Sequence, residues 1–119
     1  MSTIHAEQFG DMVVIGCEGR IVQPEAAYRL RNAVIAEADS RIIVLDFSEV
    51  DTVESGGLGM LAYLQLWAFA RGIRLKLFNP SSRVLERIER ASLHPWQIAS
   101  VDEMTALLML ADNHHKIAG

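Results

Sequence analysis

The segment LDFSEVDTVESGGLG, residues 45 to 59, predicts more about the structure than any other part of the chain. It follows the apolar run IIVL at residues 42 to 45, which predicts a central strand covered on both faces of a sheet. We expect residues 48 to 55 to form an acidic loop and a long helix to run from Gly56-Gly57 to about Arg71. A strand, a loop and a helix in this order are the unit from which parallel sheets are built.

The flanking sequence repeats this alternation. Before this segment we predict strands at 4–9 and 12–17, a loop at 19–23 and a helix at 26–38. After it we predict a strand at 73–78, a helix from Ser81 or Ser82 to Ala91 and a short strand around 97–98. A last helix is predicted over roughly 103–110, with Asp102 as its cap. Residues 113 to 119 are typical of a frayed tail. We therefore predict one α/β domain over residues 1 to 119, with about four helices and a mixed sheet of about four to five strands opened by an N-terminal antiparallel hairpin.

The composition narrows the classes of function. Half of the 119 residues are apolar, so the chain can build a core. The net charge of −4 disfavours nucleic acid as a partner, since binding to phosphates needs a basic face. Cys17 is the single cysteine and lies in an apolar run, so we expect a buried, inert thiol. No secretion signal is visible, and the apolar-rich stretch at 58–70 is too short to span a bilayer. We expect a cytoplasmic protein with no membrane insertion.

Ser55 is the side chain with the clearest chemical potential. It is expected where a helix begins, and a phosphate there is stabilised by free backbone N–H groups and the helix dipole. The simpler interpretation is that Ser55 caps the helix, which is worth about 1 kcal/mol. That interpretation leaves Gly56 and Gly57 unexplained, because each glycine costs roughly 1 kcal/mol relative to alanine inside a helix. Close approach of a partner's backbone or a phosphate to Ser55 would explain them.

The same segment resembles the signature of the STAS family, the sulphate transporter and anti-sigma factor antagonist domains. In that family a buried strand ends in Leu-Asp, and Asp-Ser-(Ser/Gly/Ala)-Gly-Leu opens a helix after a loop. Leu45-Asp46 matches the first part and residues 54 to 58, ESGGL, match the second. The order of elements also matches over nearly the whole chain, including the loop at residues 19–21 and the turn at Asn79-Pro80.

The resemblance implies a protein-interaction switch, without catalytic residues, cofactor or metal. It implies that Ser55 is phosphorylated by a partner that is both anti-sigma factor and serine kinase, that phosphorylation ends the binding, and that a phosphatase resets the switch. Two positions depart from the family pattern: Glu54 stands where aspartate is usual, and Val22 stands where the loop often carries an acid. The predicted partner-binding residues are Gly19, Arg20, Ile21, Val22, Gln23, Asp51, Glu54, Gly56, Gly57, Met60, Tyr63, Leu64 and Trp67.

The helix after Ser55 is apolar on two faces. We assign Leu58, Leu61, Ala62, Ala68 and Phe69 to the core. The opposite face carries Met60, Tyr63, Leu64 and Trp67, which either dock a partner, a second copy of the chain included, or pack under the neighbouring helix.

Two other functions stay open. A constitutive scaffold in a transporter or signalling complex would have the same fold, with Ser55 only as a cap. A nucleotide-binding module or a serine hydrolase is less favoured, because the chain has no Gly-x-Ser-x-Gly elbow, no phosphate-binding loop and no histidine spacing typical of a metal site. Arg83, Arg87 and Arg90 alternate with glutamates and predict a solvated ion-pair face on one helix.

Overall fold

A computed structural model describes the backbone of residues 2 to 118 and the side chains of residues 3 to 111. The strands are β1 (Ser2–Phe9), β2 (Met12–Ile21), β3 (Ile42–Val53), β4 (Arg74–Phe78) and β5 (Gln97–Ala99), and the helices are α1 (Pro24–Ile35), α2 (Ser55–Ala70), α3 (Ser82–Ala91) and α4 (Val101–Ala118).

The strands form one sheet in the order β1-β2-β3-β4-β5. β1 and β2 pair antiparallel as the predicted hairpin, and all the other pairs are parallel. Gly10, with φ of 63°, makes the hairpin turn in a conformation that glycine adopts at little cost. The predicted α/β fold with a mixed sheet is confirmed.

β2 and β3 are longer than the sequence predicted. β2 continues to Ile21 and β3 to Val53, so most of the loop expected at 19–23 and of the acidic loop expected at 48–55 is strand. The two strands stay paired to Ile21↔Val53 through two register shifts. Val50 and Val53 are buried while Glu49 and Asp51 are exposed, so the acids occupy the open face of a strand rather than a loop.

The sheet carries a helical layer on each face. One core cluster joins buried side chains of the sheet to Leu30 of α1, Leu61 of α2 and Ile88 of α3. A smaller cluster on the other face joins Met12 and Val44 to Met104 of α4. Toward the end of β3 that leads into α2, Ser48, Glu49 and Asp51 are exposed.

The C-terminal end of α2 and the N-terminal end of α3 follow known capping rules. Gly72, with φ of 69°, follows α2, and its N–H donates to Phe69 O while the Ile73 N–H donates to Ala68 O. This is a Schellman motif, and it ends the helix at the predicted boundary near Arg71. Ser81 caps α3, because its hydroxyl accepts from the Val84 N–H at 3.2 Å.

The start and end of α4 differ from the prediction. Ser100, not Asp102, caps the helix by accepting a hydrogen bond from the Glu103 N–H at 3.0 Å. The helix also starts at Val101 and continues to Ala118, so residues 113 to 118, expected to form a tail, are helical. Gly119 lies outside the described residues.

Candidate functional site

Ser55 lies at the junction between β3 and α2, at the first helical position. Glu54 occupies the N-cap position and its side chain makes no capping hydrogen bond. The interpretation of Ser55 as the cap is therefore wrong. Its side chain is exposed, and within the described residues its hydroxyl makes no hydrogen bond. The hydroxyl is thus free to meet a partner.

The backbone around Ser55 is held from several sides. The Glu54 N–H donates to Ile21 O at 3.0 Å, which ties the end of β2 to the start of α2. The Leu58 N–H donates to Glu54 O at 2.9 Å and closes the first helical turn. These bonds leave the serine on a rigid turn, which lowers the entropic cost of presenting it to a partner.

Arg87 of α3 is a third contact to this junction, and the sequence did not predict it. Its Nε donates to Val53 O at 3.1 Å, two residues before Ser55. We expected Arg87 to belong to a solvated ion-pair face, but on that face the described ion pair is Arg90 with Glu86 at 2.7 Å. No local pattern indicates such a contact, because it depends on where α3 packs against β3.

The two glycines after Ser55 have different roles. A Cβ on Gly57 would lie 2.8 Å from Ile21 Cγ2 and 2.9 Å from Val53 Cγ1, so Gly57 lets α2 pack closely on the ends of β2 and β3. Its placement among partner-binding residues is a correction, because it is buried. A Cβ on Gly56 would meet nothing within 4 Å. Gly56 is exposed beside Ser55, where close approach of another molecule is possible.

The residues predicted at the β2–α1 connection are only partly at the surface. Gly19, Arg20 and Ile21 belong to β2, and Ile21 is buried, which excludes it from an outer surface. Arg20 and Gln23 are exposed, and Gly19 and Val22 are half-buried. Arg20 is paired in register with Thr52 of β3, so this part of the predicted site does lie beside the β3–α2 junction.

The outer face of α2 needs two corrections. Leu64, predicted to dock a partner, is fully buried, and Phe69, predicted in the core, is 86% exposed. Met60 and Trp67 are half-buried, and Tyr63 is exposed. The sequence missed Tyr28 of α1, which with Arg31, Gly59, Met60 and Tyr63 lines a shallow depression of about 330 Å³.

The acids near Ser55 divide into a structural one and exposed ones. Asp46 Oδ1 accepts from the Ser48 N–H at 3.0 Å and from the Ser48 hydroxyl at 2.6 Å, so it shapes the strand. Asp51 and Glu54 are exposed. A negative charge added to Ser55 would therefore lie within four residues, along the chain, of two solvent-accessible carboxylates.

Cys17 behaves as the sequence predicted. It is buried, and burial raises the pKa of its thiol from 9.0 to about 12, with a smaller effect in the same direction from Asp46. A protonated thiol is a poor nucleophile and a poor metal ligand.

Within residues 3 to 111 no group of three or more His, Cys, Asp or Glu side chains could hold a metal ion. Of the four histidines, His5 and His94 are exposed, as predicted, while the side chains at positions 114 and 115 lie outside the described residues. In the described part of the chain, no helix has the length and apolar character needed to cross a membrane.

A model of the STAS domain family matches residues 3–104. The chain belongs to the STAS domain family. This STAS domain has the fold of the anti-sigma factor antagonist SpoIIAA in its unphosphorylated form, with a TM-score of 0.74, 21% identity, and coverage of 91% of this chain and 96% of that one. The Bacillus SpoIIAA structure in the phosphorylated form is similar, with a TM-score of 0.71, 20% identity, and coverage of 91% and 99%.

The fold also occurs inside a larger protein. A murine solute carrier 26 family anion transporter in the inward-facing state matches with a TM-score of 0.60 and 20% identity, over 71% of this chain and 14% of that one. A sequence comparison with curated proteins finds no match.

Proposed function

We propose that this STAS domain is a cytoplasmic anti-sigma factor antagonist that binds an anti-sigma factor with serine-kinase activity and is released when that partner phosphorylates Ser55. A phosphatase then restores the binding form. The function is one of binding rather than of catalysis by this chain.

The observation that supports the proposal most is the state of Ser55. Its hydroxyl is exposed and without a hydrogen bond in the described part of the chain, although it lies on a turn held by Ile21 O and Arg87. A serine with only a structural role would be expected to cap the helix, and this one does not. Likeness to SpoIIAA, whose structure is known in both the unphosphorylated and the phosphorylated form, adds support.

Electrostatics give the reason why phosphorylation would end binding. A phosphoserine carries about −1.5 to −2 charges at neutral pH. At a packed interface this charge has to lose its water, and near the exposed Glu54 and Asp51 it meets charges of the same sign. The partner surface we propose consists of exposed or half-buried residues around Ser55, namely Gly19, Arg20, Val22, Gln23, Asp51, Glu54, Gly56, Met60, Tyr63 and Trp67.

A second candidate function is a constitutive scaffold in a transporter or signalling complex. The likeness to part of an anion transporter favours it. In that case the apolar outer face of α2 would hold a permanent partner or a second copy of the chain, and a charge at Ser55 would change little.

Capture of partners from a lysate of the source organism separates the two candidates. Wild type, Ser55→Ala and Ser55→Asp serve as baits, and the captured proteins are identified by mass spectrometry. The proposal predicts that wild type and Ser55→Ala retain a protein with serine-kinase activity that Ser55→Asp loses. Equal capture of the same proteins by all three baits would instead support the scaffold.

Ser82 provides a matched control, because it is an exposed serine at the first position of α3. Ser82→Asp adds the same charge at the same helical position on another helix. The proposal predicts that this bait retains the partner, which separates a local effect at Ser55 from a general effect of added charge.

A further inference from the structure

An apolar groove lies at the opposite end of α2 from Ser55. It has a volume of about 660 Å³ and lies between the last turns of α2, the start of β4 and residues 94 to 97. Since α2 has 16 residues and rises about 1.5 Å per residue, the groove and Ser55 are separated by most of the helix length. The groove is therefore distinct from the surface proposed above.

The groove exposes side chains that usually lie in a core. Phe69 is 86% exposed and Leu66 is 49% exposed, and both line it. They are three residues apart and so are neighbours on α2. Ile73 and Leu75 are buried at its base, and the exposed Pro95 adds further apolar surface. Contiguous exposed apolar surface of this kind marks an interaction site.

The backbone at the start of β4 is turned toward β3. The Arg74 N–H donates to Arg41 O at 3.0 Å, and pairing of β4 with β5 begins at Lys76. The N–H and C=O of one strand residue point to the same side, so Arg74 has no backbone group free for an added strand. A ligand of the groove is therefore held by side-chain contacts.

The wall of the groove opposite α2 is held in place. Gln65 Nε2 donates to His94 O at 3.2 Å and to Pro95 O at 3.3 Å, which fastens this segment to α2. The buried Trp96 donates from Nε1 to the Ser92 hydroxyl at 2.8 Å. The groove is thus already formed, so a ligand would bind without first having to order it.

The charge of the groove selects the kind of ligand. Arg74 lines it and is exposed, and no Asp or Glu lines it. Among the described side chains Arg74 forms no ion pair. In a chain of net charge −4 this is a local positive site next to apolar surface.

We propose that the groove binds an extended segment of a partner protein, whose apolar side chains pack on Leu66 and Phe69. The segment carries apolar side chains at alternate positions and an acidic side chain that pairs with Arg74. A second copy of the chain fits less well, because a two-fold pairing of grooves would bring two Arg74 side chains together without an acid between them.

Two short synthetic peptides test this proposal. Valine alternates with glutamate in one and with lysine in the other, and both are acetylated and amidated. In an NMR titration of the labelled full chain, we expect the glutamate peptide to shift the amide signals of Leu66, Arg74 and Leu75. We expect the lysine peptide to bind about tenfold more weakly or worse.

Two substitutions at exposed positions make the test specific. Arg74→Glu is expected to reverse the preference between the peptides, and Phe69→Gln is expected to weaken binding of both. Arg83→Glu, at an exposed position on α3, makes the same charge change outside the groove and should leave the preference unchanged.

The proposal is overturned if the glutamate peptide shifts no groove signals, if Arg74→Glu leaves the preference unchanged, or if the signals shift with the concentration of the chain alone, which would identify a second copy as the occupant. Ser55→Asp should bind the peptides as wild type does. A negative result at the groove would therefore not contradict the proposed function at Ser55, and a negative result at Ser55 would not contradict the proposal for the groove.

Discussion

Replacing Gly57 by alanine tests how closely α2 packs on the sheet beneath Ser55. The new Cβ would lie 2.8 Å from Ile21 Cγ2, 2.9 Å from Val53 Cγ1 and 3.0 Å from Ile21 O. Overpacking of this kind typically costs about 1–3 kcal/mol. Alanine also favours the helix over glycine by about 1 kcal/mol, which offsets part of the clash.

Gly59→Ala is the matched control, because it makes the same change in the same helix and its Cβ would meet nothing within 4 Å. The difference between the two variants removes the helix-propensity contribution and leaves the clash. We therefore expect Gly57→Ala to have a free energy of unfolding about 1–3 kcal/mol below that of Gly59→Ala. For a domain of this size that is a difference in Tm of about 4 °C per kcal/mol.

Urea unfolding followed by circular dichroism measures both variants, and equal m-values would show that the denatured states are comparable. If the free energies of the two variants agree within about 0.5 kcal/mol, the close packing of α2 on β2 and β3 is refuted. The account of a rigid turn beneath Ser55 would then lose its structural basis.

Three further predictions concern single side chains. At pH below 9.0, Cys17 should react with a thiol reagent only in the unfolded chain. Folding raises the pKa of the Cys17 thiol from 9.0 to about 12, so the protonated thiol should contribute its full stability below pH 9.0. That contribution should be lost as the pH rises from 9.0 toward 12. Ser81→Ala should lower the free energy of unfolding by about 1 kcal/mol, because it removes the cap of α3. The control Ser82→Ala should change it by less than about 0.5 kcal/mol. Equal free energies of the two variants in urea unfolding would contradict this prediction. Arg87→Ala should lower the free energy of unfolding by about 0.5–1.5 kcal/mol, because it removes the hydrogen bond to Val53 O at the end of β3. Arg83→Ala removes no described hydrogen bond and should leave the free energy of unfolding nearly unchanged in the same assay.

The sequence predicts the fold well because its strands and helices alternate clearly. Short apolar runs separated by helical periods indicate the order of elements, and the turn at Gly10 and the stop at Gly72 follow from local chemistry. The extent of β3 could not be predicted in the same way. The acidic residues Glu49 and Asp51 are typical of a loop, and the sequence alone does not show that one face of the strand at this point is open to solvent.

The sequence predicted that Ser55 lies where a helix begins, but not which side chains surround it. α2 is apolar on all sides, so the sequence alone does not decide which of Leu64 and Phe69 faces the sheet. That choice depends on where the helix packs, as does the contact from Arg87 to Val53. Ser55 itself is identified by local sequence, because the helix start and the adjacent glycines are local features.

The affinity of the captured anti-sigma factor for two forms of the chain tests the central claim most directly. One form is unmodified, and the other carries phosphoserine incorporated at position 55 during synthesis. We predict that the phosphorylated form binds at least about tenfold more weakly, since a coupling of about 1.4 kcal/mol corresponds to that factor. Equal affinity of the two forms would contradict the claim that Ser55 is the switch.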